Sequence, residues 1–256
     1  MQKESNNKTD LGNWVPIKMI ALPIILALLC SGLGIVSVYF FIPASLFLLV
    51  AVYFAVSWQI FSPRGGDVQD KVQELVLWHI PKRPYAEVLD IGCGNGALTL
   101  KVAQNFPQAH VTGVDYWGKS WDYSLGVCEN NARALGLFER TDFRRASAVA
   151  LPFADASFDL VVSNLCFHEV HDAADKRAPL REALRVLKPG GVFVLQDLFM
   201  LQPYFGTSRE LLETLRGWSA RDVEFIPTNQ AAFIPAWVKL PFMLGTLAIV
   251  KGVNSE

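Results

Sequence analysis

The sequence is short of charge. Asp, Glu, Lys and Arg make up 18% of its 256 residues and cancel to a net charge of −1. No global basic field exists to draw in nucleic acid, so that class of partner is not expected. Cysteine is scarce as well, with four in the chain. Cys30, Cys93, Cys128 and Cys166 show neither zinc-ligand spacing nor a dense secreted framework, which leaves free thiols in a reducing compartment. Internal repeats are absent, and so is any low-complexity run beyond the polar N-terminus.

One long stretch has no charge at all. From Met19 to Pro63 every residue is uncharged, more than twice the roughly 20 residues that one membrane span needs. The chain as a whole is 52% apolar, with a mean hydropathy of +0.27. The run predicts two spanning helices, near 19–40 and 43–61. Pro43 falls in the first turn of the second, where a missing N–H does no harm. Trp14, Tyr39, Tyr53 and Trp58 lie near segment ends, where interfacial aromatics gather. Lys3, Lys8 and Lys18 precede the pair, and Arg64, Lys71, Lys82 and Arg83 follow it. Both flanks, and the domain beyond, are therefore expected on the cytoplasmic side of a plasma or inner membrane. A cleaved signal peptide would have an apolar core of about 7–15 residues, and bulky Leu29 disfavours lipoprotein-type cleavage before Cys30. A buried core hairpin is the remaining rival. Gly32 and Gly34 read as helix-packing positions. The expected organisation is a polar cytoplasmic tail (1–18), two transmembrane helices (19–62) and a soluble domain (63–256).

Ser62-Pro63-Arg64-Gly65-Gly66 reads as a linker. Val68, Val72, Leu75 and Val76 then recur at helical spacing and mark one buried face, with Asp67 as cap and Pro81 as stop. Strand candidates follow at 87–91, 110–114, 141–147, 158–162 and 192–196, and helical stretches at 97–105, 120–135, 173–187 and 208–217. This alternation predicts an α/β fold with a mostly parallel sheet covered on both faces. Two last strands, 223–226 and 246–250, have no clear helix between them and suit an antiparallel edge.

The sharpest signal is Glu87-Val88-Leu89-Asp90-Ile91-Gly92-Cys93-Gly94-Asn95-Gly96. A buried strand runs into alternating glycines and then a helix. Such glycines allow a tight turn and a close approach of ligand to backbone, and the helix start offers unpaired N–H groups. The spacing is G-x-G-x-G, not the G-x-G-x-x-G of dinucleotide folds. A second strand, Val111-Thr112-Gly113-Val114-Asp115, ends in a carboxylate one βαβ step later, placed to accept two ribose hydroxyls.

With these motifs the chain resembles the class I S-adenosylmethionine-dependent methyltransferases, in particular the small-molecule group similar to quinone and sterol methyltransferases. The resemblance runs from about Gly65 to Leu198. It is carried by the glycine loop with Asp90, by Gly113-Val114-Asp115, by Leu151-Pro152-Phe153-Ala154-Asp155-Ala156-Ser157-Phe158-Asp159, and by Leu184-Arg185-Val186-Leu187-Lys188-Pro189-Gly190-Gly191. It implies a Rossmann-like sheet of seven strands behind a two-helix transmembrane hairpin, and S-adenosylmethionine as cofactor. Asp90, Gly92, Cys93, Gly94 and Gly96 would form the cradle for the methionine part. Asp115 would hold the ribose, and Tyr116 would pack on the adenine. Ser147 and Ala148 would line the adenine pocket, with Asn164 and Leu165 near the methyl group. Lys188-Pro189-Gly190-Gly191 would be a structural turn feeding the fifth strand. One departure stands out: many relatives carry an acid where this chain has Ser147. A second block, residues 115–124, is unusually aromatic. It reads either as a wall for adenine and acceptor or as ordinary packing.

Methyl transfer from a sulfonium asks chiefly for alignment and exclusion of water; a base matters only where the acceptor must lose a proton. The base candidates lie in Asn164-Leu165-Cys166-Phe167-His168-Glu169-Val170-His171-Asp172, just past the fourth strand. His168 is first because its pKa lies near neutrality, and Glu169 second; loop or cap roles are the plainer alternative. H-E-x-H is not the H-E-x-x-H of zinc proteases, so no metal is expected. The apolar stretch 231–244 reads as a lid or membrane-touching flap, or as simple cover for the sheet. A small, lipid-phase acceptor at a membrane is the expected partner. Two rival functions remain: a non-catalytic S-adenosylmethionine-binding scaffold, and a nicotinamide-dependent oxidoreductase, which the loop spacing opposes.

Overall fold

The computed structural model describes residues 9–63, 65–118 and 123–255. Lys3, Lys8 and Arg64 of the charge pattern lie outside these residues. So do 119–122 of the aromatic block and the expected helix start at Ser120. The chain divides into two compact units, Asn13–Val72 and a sheet unit of Gln73–Glu256 with Met1–Gly12.

In the helical unit, α1 (Lys18–Leu33) and α2 (Phe41–Phe61) pack against each other. The first helix ends well before residue 40. Gly32 and Gly34 weaken its last turn, and the chain reverses so tightly that a Cβ on Gly34 would stand 2.6 Å from the Phe41 ring. Pro43 lies in the first turn of α2, as its chemistry favours. With 16 residues, α1 is about 24 Å long, short of a hydrocarbon core of about 30 Å. Among the described residues, one helical run, Val38–Phe61, is long and apolar enough to cross a membrane, with a mean hydropathy of 2.3. What the two helices bury is small, Ala27, Ala44, Ala51 and Ser57, while leucines and isoleucines point outward. Trp14 closes this unit with its ring 5.7 Å from that of Phe61. Next comes α3 (Val68–His79), whose expected face is buried at Val68, Val72 and Val76.

The sheet unit holds seven strands: β1 (Glu87–Ile91), β2 (His110–Asp115), β3 (Thr141–Arg145), β4 (Phe158–Asn164), β5 (Leu187–Asp197), β6 (Ala220–Pro227) and β7 (Ala248–Asn254). Their order is β3-β2-β1-β4-β5-β7-β6. The first five are parallel, and β7 runs antiparallel to both β5 and β6. The helices are α4 (Ala97–Asn105), α5 (Leu125–Ala134), α6 (Ala178–Arg185), the single turn α7 (Gln202–Phe205) and α8 (Ser208–Gly217). Side chains alternate along the strands between two cores, the signature of a sheet covered on both faces. Leu89, Val161, Phe193 and Leu195 face the core that includes Leu180, Leu211 and Leu215. Val88, Leu160, Val162 and Val194 face the other, with Val76, Leu100 and Cys128.

Two expectations need correction here. Lys188-Pro189-Gly190-Gly191 does not precede the fifth strand but lies inside β5. There the ladder to β4 jumps from Phe158↔Leu187 to Leu160↔Val192, so the four residues bulge out of register, with Gly190 at φ +75°. And α6 starts at Ala178 rather than 173, with Pro179 in its first turn. The stretch 231–244 forms turns and one short 3₁₀ segment. Ile234, Val238 and Leu244 are buried, and Trp237 and Phe242 are exposed.

Candidate functional site

β1 pairs with β2 on one side and β4 on the other, so the strand order reverses at β1, and open α/β sheets bind ligands in the crevice outside the carboxyl ends of the strands at such a point. The glycine loop occupies that crevice. Its start is pinned to β2, since the Gly92 and Cys93 N–H groups both donate to the Val114 carbonyl, at 2.8 and 3.0 Å. Gly92, Gly94 and Gly96 all have positive φ (78°, 57° and 83°), a region costly for residues with a Cβ. A Cβ on Gly92 would also collide with Cβ and Sγ of Cys166.

Asp115 ends β2 beside this loop. Its Oδ2 accepts the Gly94 N–H (2.9 Å) and its Oδ1 the Trp117 N–H (2.8 Å). A carboxylate has about four lone-pair sites, so Asp115 keeps acceptor capacity for hydroxyl groups while fixed in place. The Trp117 indole N–H donates to the Gly94 carbonyl at 2.8 Å, bracing the loop from the other side. Asn95 is buried, and its Nδ2 has no hydrogen-bond partner among the described residues. Such an unmet donor in a glycine loop is costly unless a ligand meets it.

Asp90 lies below the loop, only 1% exposed. Burial pushes its carboxyl up to about 7, against the opposing Thr99 hydroxyl bond (2.6 Å) and with the Asp115 charge adding to the rise. The Cys166 thiol is raised by burial and then by the charges of Asp115, Asp197, Asp90 and Glu169.

Beyond β4 the backbone is strained, with Leu165 at φ 54°. Its N–H donates to the Gln196 carbonyl, and the neighbouring Asn164 Oδ1 accepts from Gln196 Nε2 at 2.8 Å. His168 follows in a 3₁₀ turn, its Nδ1 at 2.6 Å from Asp197 Oδ1. Asp197 is fully buried at the end of β5 and also accepts the Phe167 and Leu198 N–H groups (2.7 and 2.6 Å). With both oxygens already accepting backbone N–H groups, it accepts from the ring as well, which fixes the proton on Nδ1 and leaves Nε2 as the acceptor. Burial pulls the His168 imidazole down, but the charge and hydrogen bond of Asp197, with Glu169 adding, outweigh it and hold the ring above its usual value. Glu169 Oε1 lies 3.7 Å from Nε2.

The site continues over β3. Tyr116 is exposed, with the Arg145 guanidinium 5.0 Å from its ring centre. Ala148 is buried and Ser147 half-buried. The Ser147 hydroxyl donates to Asp172 Oδ2 at 2.6 Å and accepts the Val149 N–H at 3.3 Å. Residues 9–12 lie along the loop as a strap. The Asn131 side chain pairs with the Asp10 N–H and C=O at 2.8 and 2.7 Å, and reaches the Asn95 carbonyl at 3.0 Å. Gly12 sits where a Cβ would stand 2.5 Å from the Tyr123 ring.

The structure thus gathers Asp90, Gly92, Cys93, Gly94, Gly96, Asp115, Tyr116, Ser147, Ala148, Asn164, Leu165, His168 and Glu169 at one edge of the sheet. Sequence reasoning missed Asn95, Thr99, Asn131, Asp172 and Asp197 as partners in it. Asp197 had a readable signal, an acid at the carboxyl end of an apolar strand. The others are meetings of residues distant in the chain.

The methyltransferase-domain family profile matches residues 89–195. An uncharacterized methyltransferase of Synechocystis is 31% identical over 159 residues, 60% of this chain and 68% of that protein. The chain belongs to the methyltransferases. The ubiquinone/menaquinone biosynthesis C-methyltransferase of Brucella anthropi is 39% identical over 122 residues, 47% of this chain and 44% of that protein. Across the first curated relatives the match spans 40% to 49% of their length. Geranyl diphosphate C-methyltransferase from Streptomyces coelicolor, solved with S-adenosyl-L-homocysteine, has the same fold. Its TM-score is 0.56 and its identity 15%, over 75% of this chain and 80% of that one. A phosphoethanolamine N-methyltransferase of Haemonchus contortus, solved with S-adenosyl-L-methionine, shares the fold at a TM-score of 0.57 and 17% identity, over 80% of this chain and 57% of that one. The residues fit that group: a glycine loop closed to side chains, an unmet Asn95 donor and an anchored Asp115 with spare acceptor sites.

Proposed function

We propose that this chain is a membrane-anchored methyltransferase that carries a methyl group from S-adenosylmethionine to a small, lipophilic acceptor. The observation behind the reaction is that the parallel strands β2, β1 and β4 end on one edge of the sheet, with Asp115 and the glycine loop at the first two and the Asp197-anchored His168 just past the third. S-adenosylmethionine supplies an electrophilic methyl group on a sulfonium. Asp115 and the loop N–H groups hold ribose and methionine, while Asp90 shapes the strand end beneath them. Asn164 and Leu165, at the end of β4, border the methyl position. His168 Nε2 takes the proton from an acceptor that must lose one, and buried Asp197 steadies the charged ring that results. Glu169 stands second to it.

The membrane part rests on α2, whose apolar side chains point outward with no protein to cover them: Leu46, Leu49 and Val52 are all exposed. In water such a surface is costly, at about 25 cal/mol per Å²; in lipid it is at rest. The shorter α1 completes a hairpin whose interface is built from small residues, the usual choice between helices in lipid. Lys18 at the start of α1 and Lys71 beyond α2 support a cytoplasmic side for both flanks of the helix pair. A lipid-phase acceptor explains the tether, and quinones, the products implied by the name of the Brucella relative, are of that chemical kind.

The test is transfer itself. The full chain in lipid nanodiscs is given a tritium-labelled methyl donor and an organic extract of bacterial membranes. Label that enters the organic phase, and fails to do so with Asp115→Ala, supports the reading. Label confined to water-soluble product removes the lipophilic acceptor, and none with any extract favours a cofactor-binding scaffold.

A further inference from the structure

We propose that Asp172 is the residue that recognises the adenine amino group of the cofactor, presented across the crevice by Ser147. The inference rests on the cofactor assignment above. A ligand anchored through its ribose at the end of β2, with its reactive end toward β4, has one direction left for its base, outward over β3. The ends of β2 and β3 are in register there, Asp115 opposite Arg145, and the Ala146 N–H donates to the Asp115 carbonyl at 3.0 Å. Ser147 stands two residues past the end of β3, on the side toward which a base beside Asp115 extends.

Ser147 is poorly free to read that base by itself. Its one proton is given to Asp172 Oδ2, and a lone pair is taken by the Val149 N–H. What the pair presents instead is the carboxylate. Oδ1 of Asp172 has no partner among the described residues, and the residue is exposed on the connection between β4 and α6. The bond to Ser147 fixes its orientation. A carboxylate accepts from an exocyclic amino group with charge assistance that a hydroxyl lacks. The acid absent from position 147 is supplied from 25 residues further along the chain, by the same connection that carries His168. Base recognition and the candidate general base are thereby placed on one segment.

The test compares S-adenosylhomocysteine with its 6-deamino purine analogue, by calorimetry on the full chain in detergent. Wild type should bind the analogue about tenfold or more weakly, the ordinary worth of a charge-assisted hydrogen bond. Asp172→Ala should lose that preference, binding both compounds at the analogue's affinity, and Ser147→Asp combined with Asp172→Ala should restore it. Thermal melts confirm that each variant is folded. Equal weakening of both compounds in Asp172→Ala, or no change in either, overturns the assignment of Asp172. Wild type that binds neither compound overturns the cofactor assignment beneath it.

Discussion

At the scale of the residue, the crevice is governed by where charges are buried. Asp90 is held near 7 by burial, far above the ordinary carboxylate range. A raised folded-state value favours the folded protein while the carboxyl is protonated. That advantage is complete below the unfolded value of about 4 and is lost as pH climbs to about 7. Asp90→Asn should therefore stabilise the chain at pH 8 by on the order of 4 kcal/mol relative to its effect at pH 4, read as a melting difference between the two pH values. An effect independent of pH would mean that Asp90 is ionised throughout.

His168 has the opposite proton preference from a free imidazole in a dry pocket, because Asp197 outweighs the cost of burial. For an acceptor that must lose a proton, the rising limb of kcat/KM should lie above the usual imidazole range. Asp197→Asn should move that limb to lower pH, and His168→Ala should lower kcat/KM by about 10²–10⁴-fold. A limb unmoved by Asp197→Asn would deny the pair its role. His168 itself was legible as a near-neutral base beyond a strand end. Its partner was not, because the pairing of β4 with β5 that joins residues 168 and 197 is a fact of topology.

At the scale of the element, the strap of residues 9–12 shows how much one side chain can hold. Asn131 is buried and serves three backbone groups, two of Asp10 and one of Asn95. Asn131→Ala leaves those groups without a partner and should cost about 1–3 kcal/mol in thermal denaturation. Asn105→Ala, which removes one exposed bond to Lys101, should stay within about 0.5 kcal/mol. Equal effects would mean that the strap is not fastened through Asn131. In α2, Leu49→Lys sets a charge among outward-facing apolar residues and should raise the cost of insertion by about 2.5–3.5 kcal/mol. The measured quantity is the fraction retained in carbonate-washed membranes, and undiminished retention would argue against a buried lipid face. Helices and strands with clean periodicity were readable: β1, α4 and α8 fall where patterning puts them. The elements that shifted are those that context decides. The first apolar helix stops at a glycine-permitted reversal, and the Lys188-Pro189-Gly190-Gly191 segment, a turn by composition, is carried as a bulge because its neighbours on both sides pair with β4.

At the scale of the molecule, alternating strands and helices, followed by two strands without a helix, were enough to foresee a mixed seven-stranded sheet. Each parallel crossover needs a helix and an antiparallel edge does not. The glycine loop and the acid ending β2 were foreseen for the same reason: their chemistry is local. What sequence could not show is convergence, the meeting of Asp172 with Ser147 and of Asp197 with His168.

The proposed reaction depends on the carboxyl edge of β1 and β2 being the cofactor site. Titration calorimetry of the full chain in detergent with S-adenosylmethionine, with NADH as control and Asp115→Ala as variant, tests this directly. The prediction is binding of S-adenosylmethionine alone, weakened at least about tenfold in the variant by loss of charge-assisted hydrogen bonds. Binding of NADH instead, or S-adenosylmethionine binding untouched by Asp115→Ala, would contradict it.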